Sequence, residues 1–283
     1  MVSNICGDSK MNEKHVLGLS GGKDSTALAI YMREKHPDLD IEYFFADTGK
    51  ELPEVYEYLV ELEAILGKSI LRLNAEKNFD WWLNRFNGFL PSPRARWCTH
   101  RLKIKPFYEW LDPFMDKGYH VYSYVAIRSD EASREGMWPG PSLTIKFPFK
   151  EAGIDKAGVL KILEDSGLGL PKYYSWRTRS GCTFCFFQQK IEWVGLLENH
   201  PGLFKKAMAY EKTEGDKQFT WNQRESLAEL SRPERVAEIK ARHEKRVARI
   251  RERERQMGLP FDGPVDMDEV HGQIAPPCLT CHK

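Results

Sequence analysis

One stretch limits what this chain can become: His15-Val16-Leu17-Gly18-Leu19-Ser20-Gly21-Gly22-Lys23-Asp24-Ser25-Thr26. Val16 to Leu19 is a short apolar run that reads as a buried strand. It breaks at Ser20-Gly21-Gly22, and Ser25 to Met32, rich in Ala, Leu and Ile, reads as a helix. Glycines at a strand-to-helix turn let backbone approach an anion closely, and the N–H groups and positive dipole end of the helix start attract it. Lys23 adds a point charge, and Ser20, Ser25 and Thr26 add hydroxyls. The stretch reads as a phosphate cradle; the plainer alternative is an ordinary Gly-Ser turn.

It is neither of the two commonest cradles. A Walker loop needs G-x-x-x-x-G-K-[ST], whereas here Asp24 separates Lys23 from Ser25 and the earlier glycine is missing; a dinucleotide G-x-G-x-x-G is also absent. Ser-Gly-Gly-Lys-Asp-Ser after a strand resembles the PP-loop of the adenine nucleotide alpha-hydrolase superfamily. The resemblance implies cleavage or displacement between the alpha and beta phosphates of ATP, or binding of an adenylyl sulfate in the same place. It assigns Ser20, Gly21, Gly22, Lys23, Asp24 and Ser25 to the nucleotide, with Mg²⁺ compensating charge through Asp24.

With 283 residues the chain can form one large domain, or a main domain with an appendage. Hydrophobic content of 41% with 29% charged residues suits a soluble globular protein. No run approaches the ~20 apolar residues of a membrane helix. Met1 to Lys14 is polar and lacks a secretory core, so a cytoplasmic protein with no membrane partner is expected. A net charge of +1 gives no bulk attraction to nucleic acid, so any such contact must be local. Six cysteines in such a chain point to metal, cluster or redox chemistry rather than disulfides.

Further strands are predicted at Ile41 to Ala46, Ser69 to Leu73 and Tyr119 to Ile127. Helices are predicted at Glu51 to Leu66, Phe79 to Phe86 and Arg101 to Phe114. Alternating strands and helices predict an α/β fold with a doubly wound parallel sheet, whose ligands sit at the carboxyl ends of the strands; the resemblance to the PP-loop superfamily implies a sheet of the HUP type. Past Lys172 the pattern becomes mainly helical, at Ile191 to Leu197, Leu203 to Glu211 and Arg232 to Gln256. An irregular tail is expected at Asp262 to Ile274. The expected division is a nucleotide domain over residues 1–172 and a cysteine-bearing helical region over 173–283.

Two further blocks fit the same superfamily. Asp47-Thr48-Gly49 closes the second strand and resembles the second block of the phosphoadenylyl-sulfate reductase branch, which would put Asp47, Thr48 and Gly49 beside the nucleotide; a strand-end turn is the simpler reading. Arg128-Ser129-Asp130-Glu131-Ala132-Ser133-Arg134 resembles the branch's Arg-x-x-Glu-x-x-Arg segment. There Arg128 and Arg134 would face phosphate or sulfate oxygens, a task for which bidentate guanidinium is suited. A solvated loop with an internal salt bridge is the alternative.

Cys182 and Cys185 form one C-x-x-C, Cys278 and Cys281 a second, and Cys98 stands alone. Spacing leaves zinc and an iron–sulfur cluster both open. The Cys98-x-x-Arg101-x-Lys103-x-x-Pro106 arrangement with a downstream C-x-x-C resembles adenylyl-sulfate reductases, which implies a [4Fe-4S] cluster in preference to zinc. Thr99 replaces that family's second adjacent cysteine. The resemblance therefore leaves the fourth ligand to Cys278 or Cys281, the other being free to carry sulfur. Cys6, in a polar leader, reads as incidental.

Arg232 to Arg255 holds ten Arg/Lys against five Glu. It reads as a solvated helix laced with i, i+4 pairs, or as a face for nucleic-acid phosphates, a reading that Arg94, Arg96 and Trp97 strengthen. Trp81, Trp82, Phe184, Phe186 and Phe187 read as core or cluster shielding rather than base-stacking platforms. Over roughly residues 14–200 the chain resembles the phosphoadenylyl-sulfate reductase-like branch, and within it the ATP pyrophosphatase and sulfurtransferase family of DNA phosphorothioation systems (DndC and SspD type). That resemblance implies adenylation of a nucleic-acid phosphate, DNA ahead of tRNA, with Lys23, Asp24 and Arg128 catalytic. It also implies a cysteine desulfurase as sulfur donor and the other components of a modification complex as partners. Adenylyl-sulfate or phosphoadenylyl-sulfate reduction and tRNA base thiolation are the alternatives, and a zinc-stabilised nucleotide-sensing module is the non-enzymatic one.

Overall fold

The computed structural model describes residues 12–131, 140–215, 218–222 and 225–256. Arg134, Cys6, Cys278, Cys281 and the expected tail at Asp262 to Ile274 lie outside them.

Five strands, β1 (Glu13–Leu19), β2 (Ile41–Asp47), β3 (Ile70–Asn74), β4 (His120–Tyr124) and β5 (Leu143–Lys146), form one sheet in the order β3-β2-β1-β4-β5. Every neighbouring pair is parallel. The expected doubly wound parallel sheet is therefore present. Strand order reverses at β1, between β2 and β4, and such a switch point opens a crevice at the strands' carboxyl ends. The Ser20 to Ser25 loop leaves β1 into it, and Arg128 follows β4 there.

Both faces of the sheet are covered, which is why β1 reads as a continuous apolar run rather than an alternation. On one face, Val16, Phe44 and Val121 pack with Phe107 and Leu111 of α5 (Lys105–Asp116). On the other, Leu17, Leu19 and Phe45 join the buried residues of α1 (Lys23–Lys35) and α2 (Pro53–Leu66). Pro53 starts α2, and Gly67, at φ +64°, ends it in the left-handed conformation that glycine adopts without strain. Asn78 caps α3 (Phe79–Arg85), accepting a 2.9 Å hydrogen bond from the Trp81 N–H.

The helix expected at Arg101 begins earlier. A single turn, α4 (Trp97–Thr99), passes through five π-helical residues, His100–Ile104, into α5. The strand expected through Ile127 ends at Tyr124, and the chain then runs irregularly to Arg128. Neither β5 nor α7 (Lys156–Asp165) was foreseen. Four residues of strand give too short a pattern, and α7, with only Val159 and Leu163 buried, shows a narrow apolar stripe. A short α6 (Pro148–Glu151) joins them.

Beyond a 3-10 turn at Lys172–Ser175 come α8 (Lys190–Asn199), α9 (Pro201–Ala209), α10 (Leu227–Leu230) and α11 (Pro233–Gln256). Their buried residues, Trp193, Phe204, Leu227 and Ile239, belong to the same apolar cluster as Leu17 and Leu28 beneath the loop. Among the described residues no helix is long and apolar enough to cross a membrane. Trp193 is fully buried, with the Phe204 and Trp221 rings 6.4 and 6.1 Å away. Trp193→Ala should cost about 3–5 kcal/mol of stability, read as a lower urea midpoint in equilibrium unfolding.

Candidate functional site

α1 starts at Gly22 with no side-chain cap, as expected if its first N–H groups serve something other than a local side chain. The loop is nevertheless held tightly. The Ser20 N–H donates to Ser25 Oγ at 3.1 Å, the Ser20 and Ser25 hydroxyls lie 3.1 Å apart, and Ser180 Oγ donates to Ser20 Oγ at 3.0 Å. The Tyr173 hydroxyl donates to the Gly21 carbonyl at 2.6 Å, and the Tyr174 hydroxyl accepts from the Lys23 N–H at 3.2 Å. Gly21 has φ +69°, and a Cβ there would sit 2.6 Å from Val55 Cγ1; one on Gly22 would sit 2.6 Å from Ser180 Oγ. Both glycines are thus required by protein packing as well as by any approaching anion.

Lys23, Asp24 and Arg128 form one ionic group. Lys23 Nζ lies 2.8 Å from Asp24 Oδ2, and Arg128 Nη1 3.2 Å from Asp24 Oδ1. Arg128 also grips Asp130 through Nε and Nη2 at 2.9 and 3.0 Å. Burial pushes the Asp24 carboxyl up, but the Lys23 ammonium and the Arg128 guanidinium together outweigh it and hold it at about 2. Burial opposes the charge on Arg128, yet Asp130 and Asp24 keep it firmly protonated. Arg128 is buried, and all three of its guanidinium nitrogens already bind carboxylates. It therefore orients Asp24, and does not stand bare before an anion as the sequence suggested.

The β2 end lies alongside. Asp47 Oδ1 accepts from the Gly49 N–H and the Tyr56 hydroxyl, both at 2.8 Å, and Gly49 turns at φ +68°. Thr48 Oγ1 donates to Glu51 Oε1 at 3.0 Å and lies 3.2 Å from Cys182 Sγ. The Cys182 thiol in turn faces Glu51 Oε1 at 3.4 Å. The Lys50 carbonyl accepts from both the N–H and the hydroxyl of Thr183, at 2.8 and 2.5 Å. The C-x-x-C segment is thereby stitched to the turn that follows β2.

Arg177, buried to 1% exposure, donates to the carbonyls of Gly181 and Cys182 at 3.1 and 2.9 Å. Buried Glu192 accepts from Thr178 N and Oγ1, both at 2.9 Å, and from Gln189 N at 2.8 Å. These two side chains frame the cysteine segment from both ends. Sequence reasoning missed them, as it missed Tyr173, Tyr174, Ser180 and Glu51. The proximity of Arg177 to Gly181-Cys182 in the chain was the available signal for one of them.

Cys98, Cys182 and Cys185 are free, part-buried thiols. Burial, then the neighbouring Cys185, pushes Cys98 up to about 12; burial, then Glu51, pushes Cys182 well above the ordinary thiol range. The three cysteines share one neighbourhood, and soft thiol donors suit an iron–sulfur cluster or zinc. Among the described residues, however, no three His, Cys, Asp or Glu converge as a metal site would require. Their donor chemistry fits such a group; their geometry as it stands does not enclose one.

Residues 14–135 match the family model described as the phosphoadenosine phosphosulfate reductase domain. That stretch, which holds the Ser20 to Ser25 loop and Arg128, is thus similar to phosphoadenosine phosphosulfate reductase domains. The chain is 24% identical over 211 residues to the uncharacterized nin region protein ORF290 of Escherichia phage lambda, covering 64% of this chain and 68% of that one. It is 27% identical over 142 residues to the tRNA-specific 2-thiouridylase MnmA of Shewanella sediminis, which covers 46% of this chain but only 38% of the thiouridylase. Among solved structures, phosphoadenylyl-sulfate reductase from Candida auris, a phosphate complex, aligns with a TM-score of 0.46 and 11% identity, over 61% of this chain and 81% of that one.

The depressed Asp24 pKa has a definite pH consequence. A carboxyl at about 2 in the fold against 3.8 in the unfolded chain stabilises the fold fully above pH ~4, and that contribution is lost as pH falls towards 2. It amounts to about 2 kcal/mol. Asp24→Asn should therefore flatten the acid limb of a stability–pH curve between pH ~4 and ~2, measured by urea unfolding at each pH.

Proposed function

We propose that this protein is an ATP pyrophosphatase coupled to sulfur transfer, acting on a nucleic-acid phosphate, with DNA as the first acceptor to test. The observation that carries the reading is the 3.2 Å contact between Thr48 Oγ1, at the nucleotide end of β2, and Cys182 Sγ. The second of the two blocks assigned to the nucleotide thus touches a cysteine of the C-x-x-C pair directly. The Shewanella relative is named for tRNA thiolation, which supports sulfur transfer to a nucleic acid.

In this reading ATP, with Mg²⁺, lays its phosphates on Ser20, Gly21, Gly22, Lys23, Asp24 and Ser25. Asp47, Thr48 and Gly49 flank the nucleoside, and Arg134, which lies outside the described residues, belongs to the same assignment. An acceptor phosphate oxygen attacks the alpha phosphorus, the bond to the bridging oxygen breaks, and pyrophosphate leaves. Lys23 and the start of α1 stabilise the charge that builds there, while Arg128 fixes Asp24 for the metal ion. The outer sulfur of a persulfide, supplied by a cysteine desulfurase within a modification complex, then attacks the acceptor phosphorus and AMP leaves. A second cysteine thiolate attacks the P–S–S–Cys bridge so formed, which releases the phosphorothioate and leaves a cysteine disulfide for an external thiol to reduce. Cys98, Cys182 and Cys185, with Cys278 or Cys281, would hold a [4Fe-4S] cluster in preference to zinc; such a cluster binds or relays sulfur. The free thiols suit the reducing cytoplasm. The division into a nucleotide domain to residue 172 and a cysteine-bearing remainder belongs to the same proposal.

A second reading, reduction of adenylyl sulfate or phosphoadenylyl sulfate, is favoured by the family model over residues 14–135. Anaerobically purified protein distinguishes them. Pyrophosphate release from ATP without adenylyl sulfate is the expected result, and sulfite release from adenylyl sulfate by a protein inert toward ATP would establish the reductase. Lys23→Ala should lower pyrophosphate release by about 10²–10³-fold. Undiminished release would remove this loop from the chemistry.

A further inference from the structure

The long helix α11 divides into two halves of different charge. Residues 233–244 set three Arg/Lys against three Glu, whereas residues 245–256 set six against two, an excess of four on a chain whose net charge is +1. In the first half the cations are neutralised. Arg235 pairs with Glu225 and Glu238, Arg242 with Glu238 at 2.7 Å, and Lys240 with Glu198. The helix is anchored there too: Ile239 is buried, Val236 packs against the same apolar cluster, and Glu225 holds Lys190 of α8 as well as Arg235. In the second half Arg255 takes Glu252. Lys245, Arg249, Arg251 and Arg253 are exposed and make no hydrogen bond or ion pair among the described residues.

We propose that the second half of α11 grips the phosphate backbone of a duplex nucleic acid. The proposal rests on the reading of a nucleic-acid acceptor and adds where the polymer is held and in which form. Lys245, Arg249 and Arg253 follow at i, i+4 and i+8, so they lie on one face of the helix with about 6 Å of rise between them. Like charges at that spacing destabilise a helix, and no carboxylate among the described residues pairs with these three. The helix dipole favours cations only in the last turn, which includes Arg253 and Arg255 but not Lys245 or Arg249. Solvated i, i+4 pairing accounts for Arg242 with Glu238, not for this stripe. A polyanion answers all three cations at once, and its condensed counterions are released. Arginine, five of the six cations here, forks onto phosphate oxygens. The stripe has no ring to stack on a base, so it suits a duplex, with one phosphate charge per ~1.7 Å of axis, over a single strand. The rings nearer the cysteines offer no rival platform. Trp81, which the sequence placed in the core or around a cluster, is 43% exposed, yet Lys77 lies over it at 5.9 Å and Arg101 over Trp82 at 4.6 Å; Phe184 is core as expected.

The test is fluorescence anisotropy of labelled duplex DNA and duplex RNA of about 20 base pairs, with the full chain, no ATP and a series of salt concentrations. One duplex or both should bind, the tighter identifying the sugar, with a log–log salt slope of about −3 or steeper. Arg249→Gln/Arg253→Gln should weaken binding about tenfold or more at low salt and make the slope shallower by about 2. Arg249→Lys/Arg253→Lys should recover most of the slope, because counterion release follows charge. Lys117→Gln/Lys161→Gln, exposed positions at the end of α5 and on α7, removes the same charge and should leave binding within about twofold. An equal loss in that control would make the effect one of net charge and overturn the proposal. So would absence of binding to either duplex, or tighter binding of a single strand of the same length. Binding to vesicles of phosphatidylcholine with phosphatidylserine, lost in Arg249→Gln/Arg253→Gln while duplexes are ignored, would give the stripe to a lipid surface instead. Pyrophosphate release, assayed separately, reports on the loop. Duplex binding without release sinks the ATP reading and leaves this surface standing; release without duplex binding does the reverse.

Discussion

A tyrosine hydroxyl 2.6 Å from the carbonyl of Gly21 sets the geometry on which the rest depends. A glycine turn after a strand is permissive by nature, and by itself it would sample many conformations. Here the Tyr173 hydroxyl pins one of its carbonyls, the Tyr174 hydroxyl takes the Lys23 N–H, and Ser180 reaches Ser20. The loop is preorganised by a segment about 150 residues away in the chain. Preorganised donors are the ones that stabilise developing charge without reorganisation.

Charge in the crevice follows the same logic. A lone carboxylate there would be destabilised by burial, but Asp24 sits between Lys23 and Arg128 and stays ionised. Arg128 is held by Asp130 in turn. Each charge in the chain is fixed by the next, so the Asp24 carboxylate is offered in one orientation. A divalent cation carried in with a nucleotide would meet it already deprotonated.

The parts legible in the sequence were those with a local pattern. The Val16 to Leu19 run and the glycines after it announced β1, the turn and α1, and the alternation of strands and helices announced the parallel sheet. The parts that stayed hidden are tertiary. Arg177 and Glu192 are ordinary charged residues by type, and only the fold reveals that both are buried as a frame for the C-x-x-C segment. Arg128 was recognised as a site residue, yet its engagement with two carboxylates depends on Asp24 arriving from another strand end. Trp81 was assigned to the interior because tryptophan usually is buried; nothing in the pattern at Phe79 to Phe86 shows which ring faces out.

The double hydrogen bond from Thr183 to the Lys50 carbonyl bears on how such a chain can be divided and inherited. It ties the first third of the chain to the segment just past residue 172, across the point where a composition-based boundary would fall. Recombination that exchanged everything after residue 172 for an unrelated tail would take away the tyrosines, the serine and the threonine that shape the Ser20 to Ser25 loop and the end of β2. The smallest transferable unit is therefore the sheet together with the helices that follow it as far as the buried Ile239 of α11, while the more exposed remainder of that helix is free to diverge with whatever it meets.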